Sequence, residues 1–206
     1  DYKAGGTSYN KQQLRLNIAG LKSQLKEPPS IDLFGNVVKN NDIDFSNSLE
    51  WMFEFPEILD DEGRFTGFDA IIGNPPYIPL QDILEMSKIY EQRNYSCYNK
   101  GGDIYSLFYE RGLQLLKPNG SLGFIASNKW LKINTGEQLR EFLTTLANPI
   151  LLIDFPGVRV FADANVDPQI LVVQKASYNK ITMACTVTQK GSAFEKEVNE
   201  KLSPQT

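Results

Sequence analysis

The tetrapeptide Asn74-Pro75-Pro76-Tyr77 has the residue types and order of a segment that does chemistry. Pro75 restricts Asn74 to an extended backbone, and the two proline rings fix φ at about −65° and remove two N–H donors. The segment therefore predicts a stiff corner with two acceptors, the side-chain oxygen of Asn74 and the carbonyl of Pro75, followed by the ring of Tyr77. A turn at the end of a strand with a packed tyrosine is the simpler structural interpretation.

Two acceptors beside an aromatic ring suit a reaction at an amino group that is conjugated to a planar system. Such an amine is a poor nucleophile because its lone pair is delocalised. Acceptors that hold both of its protons favour a pyramidal nitrogen and direct the lone pair at an electrophile. The ring of Tyr77 would stack on the planar substrate, as a base drawn out of a duplex requires. No imidazole base is needed, since the proton can leave after the nitrogen has become cationic.

Composition excludes several other kinds of site. The 206 residues contain no histidine, so no His triad and no His metal site can come from this chain. Cys97 and Cys185 are too few for a zinc-finger set or a disulfide framework. A net charge of −4 argues against a free-standing, non-specific DNA binder. We expect no metal, no membrane span and a cytoplasmic location, since the apolar runs are far shorter than the ~20 residues that a bilayer span needs.

The elements that must position the tetrapeptide alternate between strand-like and helix-like segments. Phe68–Gly73 is a short apolar run that predicts a buried strand leading into Asn74, and ligands bind at the carboxyl ends of strands in α/β sheets. We predict helices over residues 103–116 and 137–146, and further strands over residues 121–126, 150–155 and 169–175. This alternation implies an α/β fold whose sheet is mostly parallel, with helices on its faces.

The flanking parts are more polar. Residues 1–62 form a predicted helical and loop segment, in which four leucine and isoleucine residues share one helix face: Leu14, Ile18, Leu21 and Leu25. Residues 32–48 are predicted to be a long loop, and an aromatic patch follows at residues 51–58. Residues 63–177 are the central segment, and residues 178–206 are predicted to form one more strand (181–188) and a surface helix (190–201).

The segment FDAIIGNPPYI resembles the catalytic segment of amino-directed, S-adenosylmethionine-dependent methyltransferases. The stretches DIYSLFYERGLQLLKPNGSLGFIASNKWL and GEQLREFL resemble the gamma class of adenine-specific DNA methyltransferases. WMFEFPEIL is similar to an element of fused type IIG restriction–modification enzymes. The resemblance covers residues 51–175. It implies a partial Rossmann-like methyltransferase fold with the later half of the sheet, in which residues 63–177 are the catalytic half. It also implies methyl transfer from S-adenosylmethionine to the adenine amino group in double-stranded DNA.

The resemblance also implies roles for particular residues. Asn74 and Pro75, in the corner stiffened by Pro76, would hold the adenine amino group, and Tyr77 would stack on the flipped base. Phe161, in RVFADANVDPQILVV, matches the second aromatic residue of the family on the far side of that base.

A second group of residues is expected to border the cofactor and the DNA. Asp103, Tyr105 and Phe108 occupy the helix-start motif that lies beside the cofactor in the family, with Phe108 next to the cofactor adenine. Four basic residues are candidates for DNA phosphate contacts: Lys129, Lys132, Arg140 and Arg159.

The chain departs from the family at both ends. GxGxxG does not occur, so the glycine-rich cofactor-binding turn is not found before the tetrapeptide, and little sequence after Lys175 is left for target recognition. We therefore expect a fragment with weak or absent cofactor binding, whose parent supplies the remaining methylase and target-recognition domains and, where fused, an endonuclease. The first strand would then be an open edge that favours a homodimer or pairing with another chain.

Two alternatives remain open on the sequence. A glutamine-directed protein methyltransferase also carries NPPY, although such enzymes usually follow the next strand with a Glu-containing turn, where this chain has GFIASNKW. A non-catalytic assembly module would keep the motif without using it. In that case, Asn74→Ala would leave methyl transfer unchanged.

Overall fold

A computed structural model of the chain describes residues 30–31, 37–38, 51–158, 160–161, 166–188 and 192–202. The chain divides into two compact units, Asp1–Thr66 and Gly67–Thr206. The predicted helix at residues 14–25 and most of the predicted loop at residues 32–48 lie outside the described residues.

The first unit contains short elements. They are β1 (Ser30–Ile31), β2 (Val37–Val38), α1 (Trp51–Glu54) and a 3-10 turn (Pro56–Ile58). β1 and β2 pair antiparallel. The rings of Trp51 and Phe55 stack with their centroids 5.7 Å apart, so these two members of the aromatic patch pack on each other.

The second unit is built on a five-stranded sheet. Its strands are β3 (Phe68–Gly73), β4 (Leu116–Ser127), β5 (Asn148–Asp154), β6 (Pro168–Gln174) and β7 (Met183–Thr186). Its helices are α2 (Leu84–Gln92), α3 (Tyr105–Leu115), α4 (Glu137–Leu146) and α5 (Ser192–Leu202), with 3-10 turns at Leu80–Asp82, Lys129–Leu131 and Asn134–Gly136. The predicted α/β class is confirmed.

The strand order is β3-β4-β6-β5-β7. β3 pairs parallel with β4 and β5 pairs parallel with β7, whereas β6 runs antiparallel to both of its neighbours. Four of the five strands of this sheet thus point in one direction, as the prediction of a mostly parallel sheet requires, and β6 runs the opposite way. A parallel return needs a crossover, usually a helix. The described part of the connection between β5 and β6 contains no helix, and β6 runs back antiparallel beside β5.

One face of the sheet carries the main core. Alternate residues of β4 and β6 are buried on this face: Leu122, Phe124, Ala126, Gln169, Leu171 and Val173. α3 and α4 cover it with Tyr109, Leu113, Leu139 and Leu143. A smaller cluster surrounds Ile153 and Phe155, and Val198 of α5 packs against it. The two helices predicted before β4 and β5 therefore form the layer that supports the sheet.

β3 is an edge strand, as expected for the first strand of the partial sheet, although its apolar run taken alone predicts a buried strand. Among the described residues it pairs with β4 alone, and 87% of the surface of Ile72 is exposed. An apolar run predicts burial only where another element covers it. The described residues also contain no helix long and apolar enough to cross a membrane.

Candidate active site

The corner follows directly from β3. Gly73, the last residue of the strand, pairs with Phe124 of β4, and a Cβ on Gly73 would lie 3.3 Å from the Phe124 ring. Asn74 and Pro76 are exposed and Pro75 is buried. No described residue forms a hydrogen bond with the Asn74 side chain or the Pro75 carbonyl. The Asn74 amide is thus held at the carboxyl end of β3 with its hydrogen-bonding groups unused.

Tyr77 is anchored beside the corner. The ring is half-buried and packs against the main core. Its hydroxyl donates to the carbonyl oxygen of Ile125 in β4 at 3.4 Å, which is long for a hydrogen bond between oxygen atoms. Burial raises the pKa of Tyr77, so the phenol is protonated at neutral pH. The Tyr77 ring is thus neutral and packed beside the corner.

A short antiparallel bridge joins the corner to the start of α3. The N–H of Leu80 donates to Gly102 at 2.9 Å, the N–H of Ile104 donates to Ile78 at 2.9 Å, and Pro79 bridges Asp103. The tetrapeptide and the helix-start motif are therefore neighbours in space. Sequence reasoning missed this connection because neither segment has the alternation of a strand.

The three residues expected at the cofactor lie at different depths. Asp103 is half-buried, Phe108 is 41% exposed and Tyr105 is 2% exposed. Burial is the main cause that raises the pKa of Tyr105, and the carboxylate of Asp103 adds to it. Tyr105 thus lies in the core beside Asp103, whereas Asp103 and Phe108 remain reachable from outside. Their assignment to the cofactor stays a prediction.

Hydrogen bonds connect the residue after β4 to the last residue of β5 and to the residue before the start of β6. The Asn128 side chain donates to Asp154 Oδ1 at 2.7 Å, and its backbone N–H donates to the Asp167 carbonyl at 2.9 Å. Ser127 and Asn128 are buried, while Lys129 and Lys132 are exposed. Within the described part of the chain these two lysines form no ion pair, so they are available to an anion.

The remaining predicted residues lie apart or are untested. Phe161 is half-buried and has no described contact with Tyr77, so its role stays a prediction. Arg159 lies outside the described residues. Arg140 donates to the carbonyls of Trp130 and Ile133, which commits its guanidinium to the turn after β4.

Two buried polar pairs near the site were not predicted. The carboxylate of Glu110 accepts the N–H of Cys97 at 2.8 Å, and the Gln169 side chain donates to the Tyr109 hydroxyl at 2.9 Å. Cys97 and Glu110 are 13 positions apart in the sequence, and Tyr109 and Gln169 are 60 positions apart. No local pattern in the sequence predicts either pair. The described residues contain no cluster of three or more His, Cys, Asp or Glu side chains placed to hold a metal.

The chain is similar to restriction–modification methylases. A family model described as the Eco57I restriction-modification methylase matches residues 7–161. The type II restriction enzyme and methyltransferase RM.Eco57I of Escherichia coli is 33% identical over 119 residues, which are 56% of this chain and 12% of the relative. The type II methyltransferase M.BstVI of Geobacillus stearothermophilus is 29% identical over 144 residues, 68% of this chain and 26% of the relative.

Solved structures with a similar arrangement include the methyltransferase subunit of a type I restriction–modification system from Streptococcus thermophilus. Its TM-score is 0.45 at 15% identity, over 67% of this chain and 32% of that one. The chain thus spans between an eighth and about a quarter of the length of the two relatives that it matches.

Proposed function

The chain belongs to the Eco57I restriction-modification methylase family, and from this premise we propose that it holds the target amino group during methylation of adenine in DNA. The reaction would be methyl transfer from S-adenosylmethionine to the exocyclic nitrogen, as in the gamma class of adenine-specific enzymes. Because the chain spans 12% and 26% of the two relatives, we propose that it works as part of a longer methylase.

The observation that carries the proposal is the unused hydrogen-bonding capacity of the corner. Asn74 is exposed at the carboxyl end of β3, and no described residue bonds its side chain or the Pro75 carbonyl. Two fixed acceptors can hold the two amino protons of adenine and orient the nitrogen lone pair. The N–C bond would form as the S–C bond to the methyl group of S-adenosylmethionine breaks, which leaves the thioether S-adenosylhomocysteine. The cationic nitrogen would then lose a proton to solvent, so no histidine is required.

Aromatic and basic side chains would hold the DNA around this corner. Tyr77 offers a ring fixed over β4 for stacking on a flipped base, with Phe161 proposed on the far side of that base. Lys129 and Lys132 are exposed beyond β4 and would contact phosphates. Replacing Tyr77 by Phe removes a hydrogen bond of 3.4 Å and keeps the ring, so we expect base capture to survive in Tyr77→Phe and to weaken in Tyr77→Ala.

We propose that the start of α3 borders one side of the cofactor. S-adenosylmethionine supplies the electrophilic methyl group when bound. The carboxylate of Asp103 can accept hydroxyl or amino protons, and the exposed ring of Phe108 can stack on an adenine. The bridge between Pro79 and Asp103 places this motif next to the corner, as a transfer between two bound molecules requires. For the isolated chain we expect weak or undetectable cofactor binding in calorimetry.

The test is Asn74→Ala in the complete methylase. We expect methyl transfer to adenine to fall by ~10²- to 10³-fold, comparable to the loss of one preorganised hydrogen-bond partner elsewhere. We expect DNA affinity to fall only modestly, and the free energy of unfolding to change by less than about 0.5 kcal/mol, because the side chain is exposed and unbonded. Asn134→Ala is the matched control, since Asn134 is also exposed.

The outcomes separate the proposal from its alternatives. Unchanged methyl transfer in Asn74→Ala would contradict the proposed role and favour an assembly module. Transfer of labelled methyl to protein glutamine, with none to DNA, would identify the other substrate class. Methylation of cytosine would contradict the adenine assignment.

The edge strand supports a proposal about partners. We propose that β3 is covered in the complete methylase by its remaining strands, and that in the isolated chain a second copy covers it, because Ile72 is 87% exposed there. Target-recognition and endonuclease parts would lie elsewhere in the parent. Free Cys97 and Cys185 fit a cytoplasmic location, which is part of the same proposal.

A further inference from the structure

A tight turn directly precedes Asp103, and Asn99 closes it with two hydrogen bonds. Asn99 Oδ1 accepts the N–H of Gly101 at 2.9 Å, and the carbonyl oxygen of Asn99 accepts the N–H of Gly102 at 2.8 Å. Asparagine side chains that bond the backbone two residues further on stabilise turns of this kind. The backbone position at which Asp103 begins is therefore set by Asn99.

The same side chain joins the turn to α4. Asn99 Nδ2 donates to Gln138 Oε1 at 3.1 Å, although the two residues are 39 positions apart in the sequence. The turn also lies against Thr135, because a Cβ on Gly101 would be 3.1 Å from Thr135 Cγ2. α4 is packed on the main core through Leu139, which is 1% exposed. Asn99 thus attaches the turn to an element that is fixed by packing.

The turn is bonded to the segment that follows the corner. Gly102 donates its N–H to Asn99 and accepts the N–H of Leu80 at 2.9 Å with its carbonyl oxygen. The second of these bonds belongs to the bridge between Pro79 and Asp103. A series of three hydrogen bonds therefore runs from α4 through Asn99 and Gly102 to the segment after the corner.

We propose that Asn99 is a positioning residue, which sets the distance between the corner that holds the target amino group and the carboxylate of Asp103 at the cofactor. The inference rests on the proposed function, because it needs both of these sites to bind their ligands. Transfer between two bound molecules requires their reacting atoms to be aligned and about 3–3.5 Å apart, and a misplacement of about 1 Å can reduce the rate ~100-fold. Asn99 would control this spacing through the turn.

The experiment replaces Asn99 by alanine in the complete methylase. We expect turnover at saturating S-adenosylmethionine to fall by ~10-fold, while the KM for DNA changes by less than about 2-fold, because the corner itself is unaltered. The matched control is Asn179→Ala. Asn179 Oδ1 accepts the N–H of Ile181 at 2.9 Å in the same kind of turn, but this turn precedes β7 at the amino ends of the parallel strands. Its loss should leave turnover unchanged.

Two further variants test the hydrogen bonds of Asn99 separately. In Asn99→Asp the carboxylate still accepts the N–H of Gly101, and the Gln138 amide can turn over to donate to it, so turnover should stay within about 2-fold of wild type. Gln138→Leu removes the link to α4 alone and should lower turnover by ~3-fold.

The double variant of Asn99→Ala and Gln138→Leu should lose no more than Asn99→Ala does, since the alanine has already removed that bond. Additive losses in the double variant, or turnover in Asn99→Asp as low as in Asn99→Ala, would contradict the link. Gln138→Leu keeps the proposal testable if Asn99→Ala fails to fold, because full turnover in Gln138→Leu would also contradict it.

Amide hydrogen exchange measures the bridge in this chain without any activity. The N–H groups of Leu80 and Ile104 are the donors of the bridge. Because local opening controls their exchange, both should exchange ~10-fold faster in Asn99→Ala and at the wild-type rate in Asn179→Ala. Unchanged exchange in Asn99→Ala, or faster exchange together with full turnover, would overturn the inference.

The inference and the proposed function fail in different ways. If Asn74→Ala remains fully active, the proposed function fails. If Asn74→Ala is inactive and Asn99→Ala turns over as wild type does, the positioning role alone fails.

Discussion

The carboxylate of Glu110 accepts a hydrogen bond from the segment of residues 93–103, which leads to Asp103. Removal of this carboxylate should increase the population in which that segment is open. Glu110 lies in α3 and is 4% exposed. Its Oε2 accepts the N–H of Cys97 at 2.8 Å, and its Oε1 accepts the Gln114 side chain at 3.4 Å. Glu110→Ala removes the acceptor and leaves the buried N–H of Cys97 without this partner.

The expected magnitude follows from that bond. A hydrogen bond to a charged group contributes about 1.5–3 kcal/mol, and the desolvation of a buried carboxylate offsets part of it. We therefore expect the opening of residues 93–103 to become easier by about 2 kcal/mol in Glu110→Ala, which corresponds to a ~30-fold larger open population.

The assay uses the thiol of Cys97 as a reporter of opening. Cys97 is 2% exposed, and burial, with a smaller contribution from Glu110, raises the pKa of its thiol, so the closed state is unreactive. In a Cys185→Ser background, labelling by a disulfide reagent should be ~30-fold faster in Glu110→Ala than in its parent. Glu110→Gln keeps an acceptor oxygen and should give an intermediate rate. Equal labelling rates in Glu110→Ala and the parent, with equal free energies of unfolding, would refute the reasoning.

Three further predictions concern the fold. Gly67→Ala should lower the free energy of unfolding, measured by urea titration, by about 2–4 kcal/mol, because φ at Gly67 is +94° and the new Cβ would lie 2.7 Å from a backbone nitrogen at the start of β4. The control is Gly63→Ala, which should cost only about 1 kcal/mol, because φ is +76° but no atom lies within 4 Å of the new Cβ. Burial raises the pKa of the Tyr105 and Tyr109 hydroxyls, so these groups lose their protons in the unfolded state at a lower pH than in the folded state. The free energy of unfolding should therefore fall as the pH rises above about 10. A free energy of unfolding that stays constant in denaturant titrations from about pH 9 to 11 would count against the burial of these tyrosines. Ile72→Lys should reduce self-association of the chain in sedimentation velocity without a loss of stability, because 87% of the side chain is exposed; an unchanged association constant would argue against β3 as the contact.

Elements with strong local signals could be predicted with their bounds. Phe68–Gly73 and Glu137–Leu146 form over the predicted residues. α2 was not predicted, and among its nine described residues Ser87 alone is buried. β4 begins at Leu116, before the predicted residue 121, because Leu116 pairs with Phe68 across an irregular register. That pairing joins residues far apart in the chain and leaves no local trace.

The sequence by itself determined the corner. The two prolines act through their own rings and on the residue before them, so the shape of residues 74–76 depends on nearest neighbours alone. The order of residues also placed this corner at the end of a strand, and the composition removed histidine from the possible chemistry.

The tertiary structure decided everything that depends on residues distant in sequence. It inserted β6 between β4 and β5 and brought Asp103 next to Pro79. It also placed Tyr77 on the carbonyl of Ile125, 48 positions away, and Gln169 against Tyr109, 60 positions away. Such contacts arise from packing and from the pairing of buried polar groups, which are satisfied only when the whole sheet and its helices have assembled.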